Sequence, residues 1–201
     1  MIRFYILILF LFSCTDLLIN SLEYHSVELK GNAWIEINQG TNFNTNDFTL
    51  QSWFSGSDTT LNKTQTIISM LNSSREILIG IFKDPTYQNR LDIWINNQHV
   101  ETIELPNELN DINSFHLITL SGGVTDEGST IAISIYLDKT NIFNQNTTLT
   151  TVDLTDINFS IGGMISDTYP VTATSFWHGC IDEIRLWNTV LPDSIIVYHN
   201  D

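Results

Sequence analysis

The sequence predicts an all-β protein, a two-sheet antiparallel β-sandwich with one short C-terminal helical turn. Short runs rich in β-branched and aromatic residues recur along the chain, and Asn, Thr, Ser, Asp and Gly fill the gaps between them, which is strand-and-turn composition. Many runs alternate apolar and polar residues, the period of a half-buried strand. No amphipathic helix of useful length interrupts them, so the strands stack as two sheets.

The strand-like segments are spread along the chain from about residue 30. They are residues 34–37, 48–54, 66–71, 77–82, 91–95, 100–105, 114–121, 130–137, 158–161 and 176–188. Lys83–Tyr87 has the composition of a turn, and the tail at 191–199 suits a short helix because Pro192 and Asp193 favour a first helical turn. We expect about eleven or twelve strands in one domain, with no linker or repeat.

The charge balance argues against two classes of partner. The 201 residues include 23 acidic and 8 basic side chains, a net charge of −15, and the basic residues are scattered singly. Nucleic acid and anionic membrane surfaces repel such a chain. The acidity indicates either simple solubility or binding of divalent cations.

The N-terminal segment has the features of a targeting sequence. Arg3 precedes nine apolar residues, Phe4–Phe12, and the small residues Ser13 and Cys14 follow. This run is too short to span a bilayer, which needs about 20 residues in a helix. We predict a signal peptide at residues 1–21 and a mature domain at 22–201. Leu11–Cys14 is similar to a lipoprotein cleavage box, so lipidation of Cys14 is the alternative to ordinary cleavage, with secretion or surface anchoring as the result.

Two further features leave the cellular origin open. Four triplets fit the N-glycosylation pattern, at Asn62, Asn72, Asn146 and Asn158, although such triplets arise readily by chance in an Asn- and Thr-rich chain. Cys14 and Cys180 are the only cysteines, so we expect no disulfide framework.

The segment Phe176–Asn188, with the sequence FWHGCIDEIRLWN, resembles the closing strand of laminin G-like jelly rolls of the concanavalin A-like lectin and glucanase superfamily. Phe48–Trp53 and Ile161–Gly163 resemble other strands of that family in the expected order, and Ile135–Asp138 resembles its hairpin, with Lys139 where a Gly is usual. The resemblance covers about residues 22 to 200. It implies a jelly-roll sandwich and a binding role, but no single ligand, since this fold carries lectins, adhesins, hydrolases and spacer domains.

We expect no enzyme activity. Glucan-cleaving members of the superfamily use a Glu-x-Asp-x-x-Glu run on one strand, because glycoside hydrolysis needs paired carboxylates, and the chain has no such run. It also lacks Gly-x-Ser-x-Gly, and its five histidines show no metal-ligand spacing. A glycoside hydrolase is therefore the least favoured function.

A structural calcium ion is the only cofactor to consider. In several relatives, an Asp at a comparable place on the final strand helps to hold Ca²⁺, and the resemblance assigns this role to Asp182. The alternative is that Asp182 forms hydrogen bonds with backbone groups across the sheets. The loop residues Asp126, Glu127, Asp153 and Asp156 are further oxygen donors, or simply solvated.

Carbohydrate binding calls for exposed aromatic rings beside polar groups. Trp94 lies opposite the aliphatic residues Leu91, Ile93 and Ile95 in the alternating pattern, and Tyr87 is near it in a turn. We predict these two as the ligand platform, and we expect Trp53 and Trp187 to pack in the core. The leading hypothesis is a secreted or surface-held, non-catalytic recognition module that binds a glycan or a surface protein. A structural or adhesive surface domain without a glycan ligand is the alternative.

Overall fold

The computed structural model describes residues 26–31, 33–38, 47–56, 63–87, 89–105, 109, 114–125, 130–150, 157–164 and 175–199. Within these ranges, twelve strands form two antiparallel sheets of six strands each, and one short helix follows them. The predicted all-β jelly-roll sandwich is confirmed. The predicted signal peptide at 1–21, with Cys14, lies outside the described residues, as do the loop acids Asp126, Glu127, Asp153 and Asp156.

Each sheet takes strands from both ends of the chain. Sheet A contains, in spatial order, β1 (Val27–Lys30), β12 (His178–Trp187), β3 (Phe48–Gly56), β8 (His116–Val124), β9 (Ile131–Leu137) and β10 (Thr140–Asn146). Sheet B contains β2 (Ile35–Asn38), β11 (Asn158–Ile161), β4 (Gln65–Leu71), β5 (Ile77–Lys83), β6 (Arg90–Ile95) and β7 (Gln98–Glu104). In sheet A, β1 pairs with β12, and in sheet B, β2 pairs with β11. Strands from the two ends of the chain therefore lie side by side in both sheets.

The core fills the space between the two sheets. The fully buried rings of Phe48, Phe54 and Phe159 lie in it, with the aliphatic residues that each strand turns inward. Burial of this apolar surface is the main driving force for folding, at roughly 25 cal/mol per Å² removed from water. The apolar residues at alternate positions of the strands are therefore the residues that form this core.

Every predicted segment contains a strand, but two strands were missed. These are β1 and β10, and each is an edge strand that pairs with one neighbour only. In β10, Phe143 is the one buried side chain, so the strand lacks the alternation that marks a half-buried segment. The predicted Lys83–Tyr87 turn agrees with the structure, since β5 ends at Lys83.

Asn and Asp residues with positive φ lie in two of the tight turns. Asn96 and Asn97, with φ of 51° and 59°, connect β6 to β7, as a two-residue hairpin of the type I′ class requires. Asp138, with φ of 54°, begins the turn from β9 to β10. Asp and Asn tolerate this conformation better than other side chains do, so the hairpin at Asp138 forms although Lys139 replaces the usual Gly.

The closing strand β12 contains a bulge. Asp182 lies opposite Trp53 and Arg185 opposite Gln51, so β12 has one more residue than β3 between these two pairs. Glu183 has a φ of 44°, and the extra residue shifts the alternation by one position. Asp182 and Arg185 therefore both face outward from sheet A, although they are three positions apart.

The predicted C-terminal helix is confirmed as α1 (Asp193–Tyr198), which packs on the outer face of sheet A. Ile196 is its buried residue, and the Tyr136 hydroxyl donates a 2.7 Å hydrogen bond to Asp193 Oδ1. Beyond the helix, His199 Nδ1 is 2.9 Å from Gln51 Oε1. These contacts cover one end of sheet A, and none of them involves Trp53.

The expectation that Trp53 and Trp187 pack in the core is wrong. Both are only partly buried and face outward from sheet A, and Trp187 stacks on His199 with 5.6 Å between ring centroids. The tryptophan of the core is Trp177, which is 1% exposed. In the core, the ring of Phe54 packs edge-on against the indole of Trp177, with 5.4 Å between the ring centroids.

Candidate functional site

The predicted platform residues lie on the outer face of sheet B. Along β6, Leu91 and Ile93 point into the core, whereas Arg90, Asp92 and Trp94 are half-buried and point outward. This is the alternation that the sequence predicted for Trp94. An outward row of a cation, a carboxylate and an aromatic ring offers a ligand three kinds of contact on one strand.

Trp94 is anchored on one side. It packs against a small apolar cluster of buried residues on the outer face of sheet B, namely Leu71, Ile77, Phe82 and Met164. Gly80, directly opposite Trp94 in the sheet, makes room for this cluster, since a Cβ there would be 2.3 Å from the Phe82 ring. Because Trp94 remains half-buried, part of its ring is open to solvent in a fixed orientation.

Polar groups from β7 surround Asp92 and Trp94. Thr102 Oγ1 donates a 2.6 Å hydrogen bond to Asp92 Oδ1, and His99 Nε2 lies 3.3 Å from the same oxygen. The His99 ring meets Trp94 edge-on at 5.6 Å. The side chains therefore hold one another in place, and Asp92 retains acceptor capacity for a ligand, since a carboxylate has about four lone-pair sites.

Tyr87 stands at the other end of the row. Asp84 Oδ1 accepts hydrogen bonds from the backbone N–H groups of Thr86 and Tyr87, at 2.6 and 2.9 Å, and so fixes the turn. Tyr87 is 49% exposed, and the Arg90 guanidinium lies 3.9 Å from the centre of its ring. We call Tyr87, Arg90, Asp92, Trp94, His99 and Thr102 the β6 strip.

The β6 strip does not have the geometry of a catalytic relay. In a nucleophilic triad, the carboxylate and the nucleophile contact different nitrogens of the histidine. Here the same nitrogen, His99 Nε2, faces both Asp92 Oδ1 and Thr102 Oγ1, which is 3.0 Å away. Since the Thr102 hydroxyl donates to Asp92, this cluster arranges hydrogen bonds and does not activate a hydroxyl.

A concave feature lies on the opposite side of the sandwich from the β6 strip. It is a shallow depression of about 660 Å³ on sheet A, lined by Trp53, Ser114, Phe115, His116, Asp138, Lys139 and Thr140. Trp53 is the one partly exposed residue of β3, and Phe115 is 38% exposed. We call this the Trp53 depression. The sequence did not indicate this depression, because the large side chain of Trp53 was expected to pack in the core.

Asp138 holds the wall of the depression together. His116 Nδ1 is 2.9 Å from Asp138 Oδ2, and the Leu117 N–H donates a 2.9 Å hydrogen bond to Asp138 Oδ1. The Asp138 N–H donates in turn to the Leu117 carbonyl at 2.7 Å. The β9–β10 turn is thereby locked against the start of β8, and the polar groups of the wall are held before any ligand arrives.

The structure places Asp182 beside the bulge of β12. Its Oδ1 accepts a 2.7 Å hydrogen bond from the N–H of the adjacent Glu183, a local contact within β12. Among the residues described, no three His, Cys, Asp or Glu side chains gather in a group that could hold a metal ion. The role of Asp182 as a calcium ligand stays a prediction.

Two six-stranded antiparallel sheets, each with strands from the two ends of the chain paired at one edge, define the lectin-type jelly-roll class. The chain belongs to the concanavalin A-like lectin/glucanases superfamily, whose family model, Laminin G 3, matches residues 29–196. The resemblance stated from the closing strand is thus confirmed. No curated protein sequence gives a significant match to the chain.

Solved structures with the same fold include domains from very different proteins. The CBM40 of the Ruminococcus gnavus IT-sialidase, bound to α2,3-sialyllactose, is similar with a TM-score of 0.63 and 12% identity, over 88% of this chain and 96% of that one. A heptameric SAP-like pentraxin from Limulus polyphemus has a TM-score of 0.57 and 12% identity, over 78% and 70%. At these identities the likeness shows the fold alone.

A sialidase is among these structures. The Trypanosoma rangeli sialidase is similar with a TM-score of 0.65 and 15% identity, but the match covers 87% of this chain and 27% of that one. The chain therefore spans about a quarter of that enzyme. In the described part of the chain, no helix has the length and apolar character needed to cross a membrane.

Proposed function

We propose that the protein is a non-catalytic extracellular carbohydrate-binding module that holds a glycan chain along the β6 strip. The observation that carries the proposal is the outward row formed by β6 and the turn before it, in which Tyr87 and Trp94 stand at the two ends and hydrogen-bonding groups lie between them. Sugars present apolar C–H faces and hydroxyl groups together, so a surface that binds them combines rings with fixed polar atoms. A β-sheet face supplies both on a rigid base.

The spacing of the strip favours an extended ligand. Arg90, which covers Tyr87, and Trp94 are four positions apart on β6, and a strand rises about 3.3 Å per residue, so the two ends are roughly 13 Å apart. A single sugar ring cannot contact both. Two or more units of one chain would lie along β6, with Asp92 and Thr102 bonding to hydroxyls between the two rings.

The alternative is an adhesive domain that self-associates through an edge strand. Among the strands described, the four edge strands are β1, β10, β2 and β7, and the side chains of β7 are almost all exposed. Three of them, His99, Glu101 and Glu104, are ionisable, and charged groups on an edge oppose pairing with a second copy. A secreted or surface location is part of the proposal and depends on the predicted signal peptide at residues 1–21.

The test compares matched aromatic variants of the mature protein. A glycan array identifies bound sugars, and calorimetry then measures Kd for the best oligosaccharide. We expect Tyr87→Ala and Trp94→Ala to weaken binding at least about tenfold, or about 1.4 kcal/mol each. Tyr198→Ala is the control, because Tyr198 is 72% exposed on α1 over the other sheet, and its Kd should not change.

Melting curves guard against a trivial loss of folding, since Trp94 also covers the outer apolar cluster. If no sugar binds, with or without Ca²⁺, the carbohydrate-binding function is rejected. If sugar binds and neither strip variant weakens it, the strip is not the site.

A further inference from the structure

We propose that the Trp53 depression is a second glycan site, separate from the β6 strip, which takes a single uncharged sugar unit such as a chain end. The proposal shares with the proposed function the premise of a glycan ligand but not the site, and it depends on different residues. Among the described residues, the depression combines concavity, exposed aromatic surface and fixed polar groups away from β6.

The two sites cannot serve one binding event. Trp53 faces outward from sheet A and Trp94 faces outward from sheet B, with the hydrophobic core between the sheets. Packed sheets are about 10 Å apart, so the sites lie on opposite sides of the molecule. A sugar bound in the depression does not contact Trp94, so we expect the two sites to bind their ligands independently.

The depression contains partly exposed aromatic surface. Along β3, the residues on both sides of Trp53 are buried, and Trp53 alone is partly exposed. Phe115 lies at the start of β8 and is 38% exposed. The free energy falls when a ligand covers apolar ring surface that is otherwise in contact with water.

The polar wall is preorganised. Asp138 is fixed by the 2.9 Å hydrogen bond from the Leu117 N–H and by His116 at the same distance, so its carboxylate does not have to reorient when a hydroxyl donates to it. Preorganised groups bind better because little conformational entropy is lost. One carboxylate, one imidazole and one ammonium, those of Asp138, His116 and Lys139, line the depression, which suits an uncharged ligand with several hydroxyls.

The shape selects a short ligand. The depression holds about 660 Å³, within the roughly 300–1,000 Å³ that is common for small-molecule sites. The β9–β10 turn, with Asp138 and Lys139 at its tip, forms a wall along it. A chain end or a free monosaccharide fits against such a wall, whereas an extended glycan fits the open row on β6.

The test observes both sites at once in the intact mature protein. Labelling with 5-fluorotryptophan gives one fluorine resonance for each of the five tryptophans, and single Trp→Phe variants assign them. The probes are glucose, galactose, mannose, N-acetylglucosamine and N-acetylgalactosamine, each titrated to about 50 mM, which reaches Kd values in the millimolar range. We expect at least one of them to shift the Trp53 resonance and leave the Trp94 resonance in place.

Two variants test the residues of the wall. Asp138→Asn keeps the shape and an acceptor for the Leu117 N–H but removes the charge, and we expect it to weaken the monosaccharide Kd at least about tenfold. Phe115→Ala should do the same, since it removes apolar contact surface. Asp92→Asn in the β6 strip is the matched control and should leave the Trp53 shift intact.

The outcomes separate this proposal from the previous one. If no monosaccharide moves the Trp53 resonance, or if the shift survives both Asp138→Asn and Phe115→Ala, the second site is rejected even where oligosaccharides still bind at Trp94. If the Trp53 shift depends on Asp138 while Trp94 responds to no sugar, the second site stands and the β6 strip falls.

Discussion

Gly179 sets the closest approach between the closing strand and its neighbour. Its φ is 150°, and a Cβ there would lie 1.8 Å from the Ser55 carbonyl oxygen. The same oxygen accepts a 3.0 Å hydrogen bond from Trp177 Nε1. Gly179 therefore lets β12 come near enough to β3 for the buried indole to find its acceptor, which a buried N–H group requires. The Gly and the aromatic residue of the closing motif have one joint structural role.

Trp53 shows why a residue's size is a weaker guide than its position in the pattern. The sequence places Phe48, Leu50 and Phe54 on one face of β3, and the structure buries all three in the core. Trp53 is out of phase with them, so alternation alone places it outside. The preference of large aromatics for interiors is only a tendency, and here the period-two pattern overrides it. The same pattern correctly placed Trp94.

Asp182 gives a prediction about stability and calcium. We expect Asp182→Ala to lower the free energy of unfolding by about 0.5–1 kcal/mol, because the exposed Glu183 N–H in the bulge exchanges its side-chain acceptor for water. Chemical denaturation of the parent and the variant, in EDTA and in Ca²⁺, measures this. Asp182→Asn is the control, since it keeps the acceptor and removes the charge.

The calcium arm has its own outcomes. If the parent melts several degrees lower in EDTA, Ca²⁺ restores it and Asp182→Asn abolishes the response, the predicted calcium ligand is supported. A melting curve of the parent that EDTA leaves unchanged rejects the calcium site. If Asp182→Ala then lowers the free energy of unfolding equally in EDTA and in Ca²⁺, the loss of the hydrogen bond explains the whole effect.

At the scale of the element, α1 shows how a six-residue helix is held on a sheet. A helix this short is unstable by itself, so its tertiary contacts decide. Ile196 supplies the apolar contact, and the hydrogen bond from Tyr136 to Asp193 fixes the first turn. The Leu191 N–H donates to Thr49 Oγ1 at 3.0 Å, which ties the approach to the helix to β3. The helix covers one end of sheet A and leaves the Trp53 depression open at the other.

The Tyr136–Asp193 contact predicts a pH dependence. Burial first, and then the hydrogen bond and charge of Asp193, raise the pKa of Tyr136 above its ordinary value. A group with a raised pKa in the folded state stabilises the protein fully below its unfolded pKa, about 10 for Tyr, and this stabilisation is lost as pH rises through the folded pKa. We expect the parent to lose stability above about pH 10 more steeply than Tyr136→Phe does.

Denaturant titrations at pH 8 and across pH 9 to 11, roughly the range in which Tyr and Lys titrate, measure this difference. At pH 8, Tyr136→Phe should be less stable than the parent by about 1 kcal/mol because the hydrogen bond is lost. Tyr198→Phe, at an exposed tyrosine, is the control for general alkaline effects. Parallel pH profiles of the parent and Tyr136→Phe would contradict the assignment.

On the scale of the whole molecule, the net charge of −15 bears on which glycans the proposed sites would bind. Each arginine in the described ranges is already paired with a glutamate: Arg75 with Glu36, Arg90 with Glu104, and Arg185 with Glu183. Arg is the side chain best suited to bind a carboxylate. A negatively charged surface whose described arginines are neutralised favours uncharged sugars over sialylated or sulfated ones.

This predicts how binding of a matched pair of sugars depends on salt. For a neutral oligosaccharide that binds and its sialylated form, we expect the neutral one to bind at least about tenfold more tightly at low salt. The difference should shrink between about 0.01 and 0.1 M salt, over which the Debye length falls from about 30 to 10 Å. Calorimetry at both salt concentrations measures it, and tighter binding of the sialylated sugar would contradict it.

The sequence by itself determined the two sheets, the ten strands with apolar alternation, the helix after Pro192 and the outward position of Trp94, because each follows from local periodicity or turn chemistry. The closing segment at 176–188 also determined the family. Only the tertiary structure revealed the edge strands β1 and β10, each of which pairs with one neighbour, and the bulge that turns Asp182 and Arg185 to one side. It alone brought His116, Asp138 and Phe115 to Trp53, since such contacts depend on strand order and register, which local periodicity does not encode.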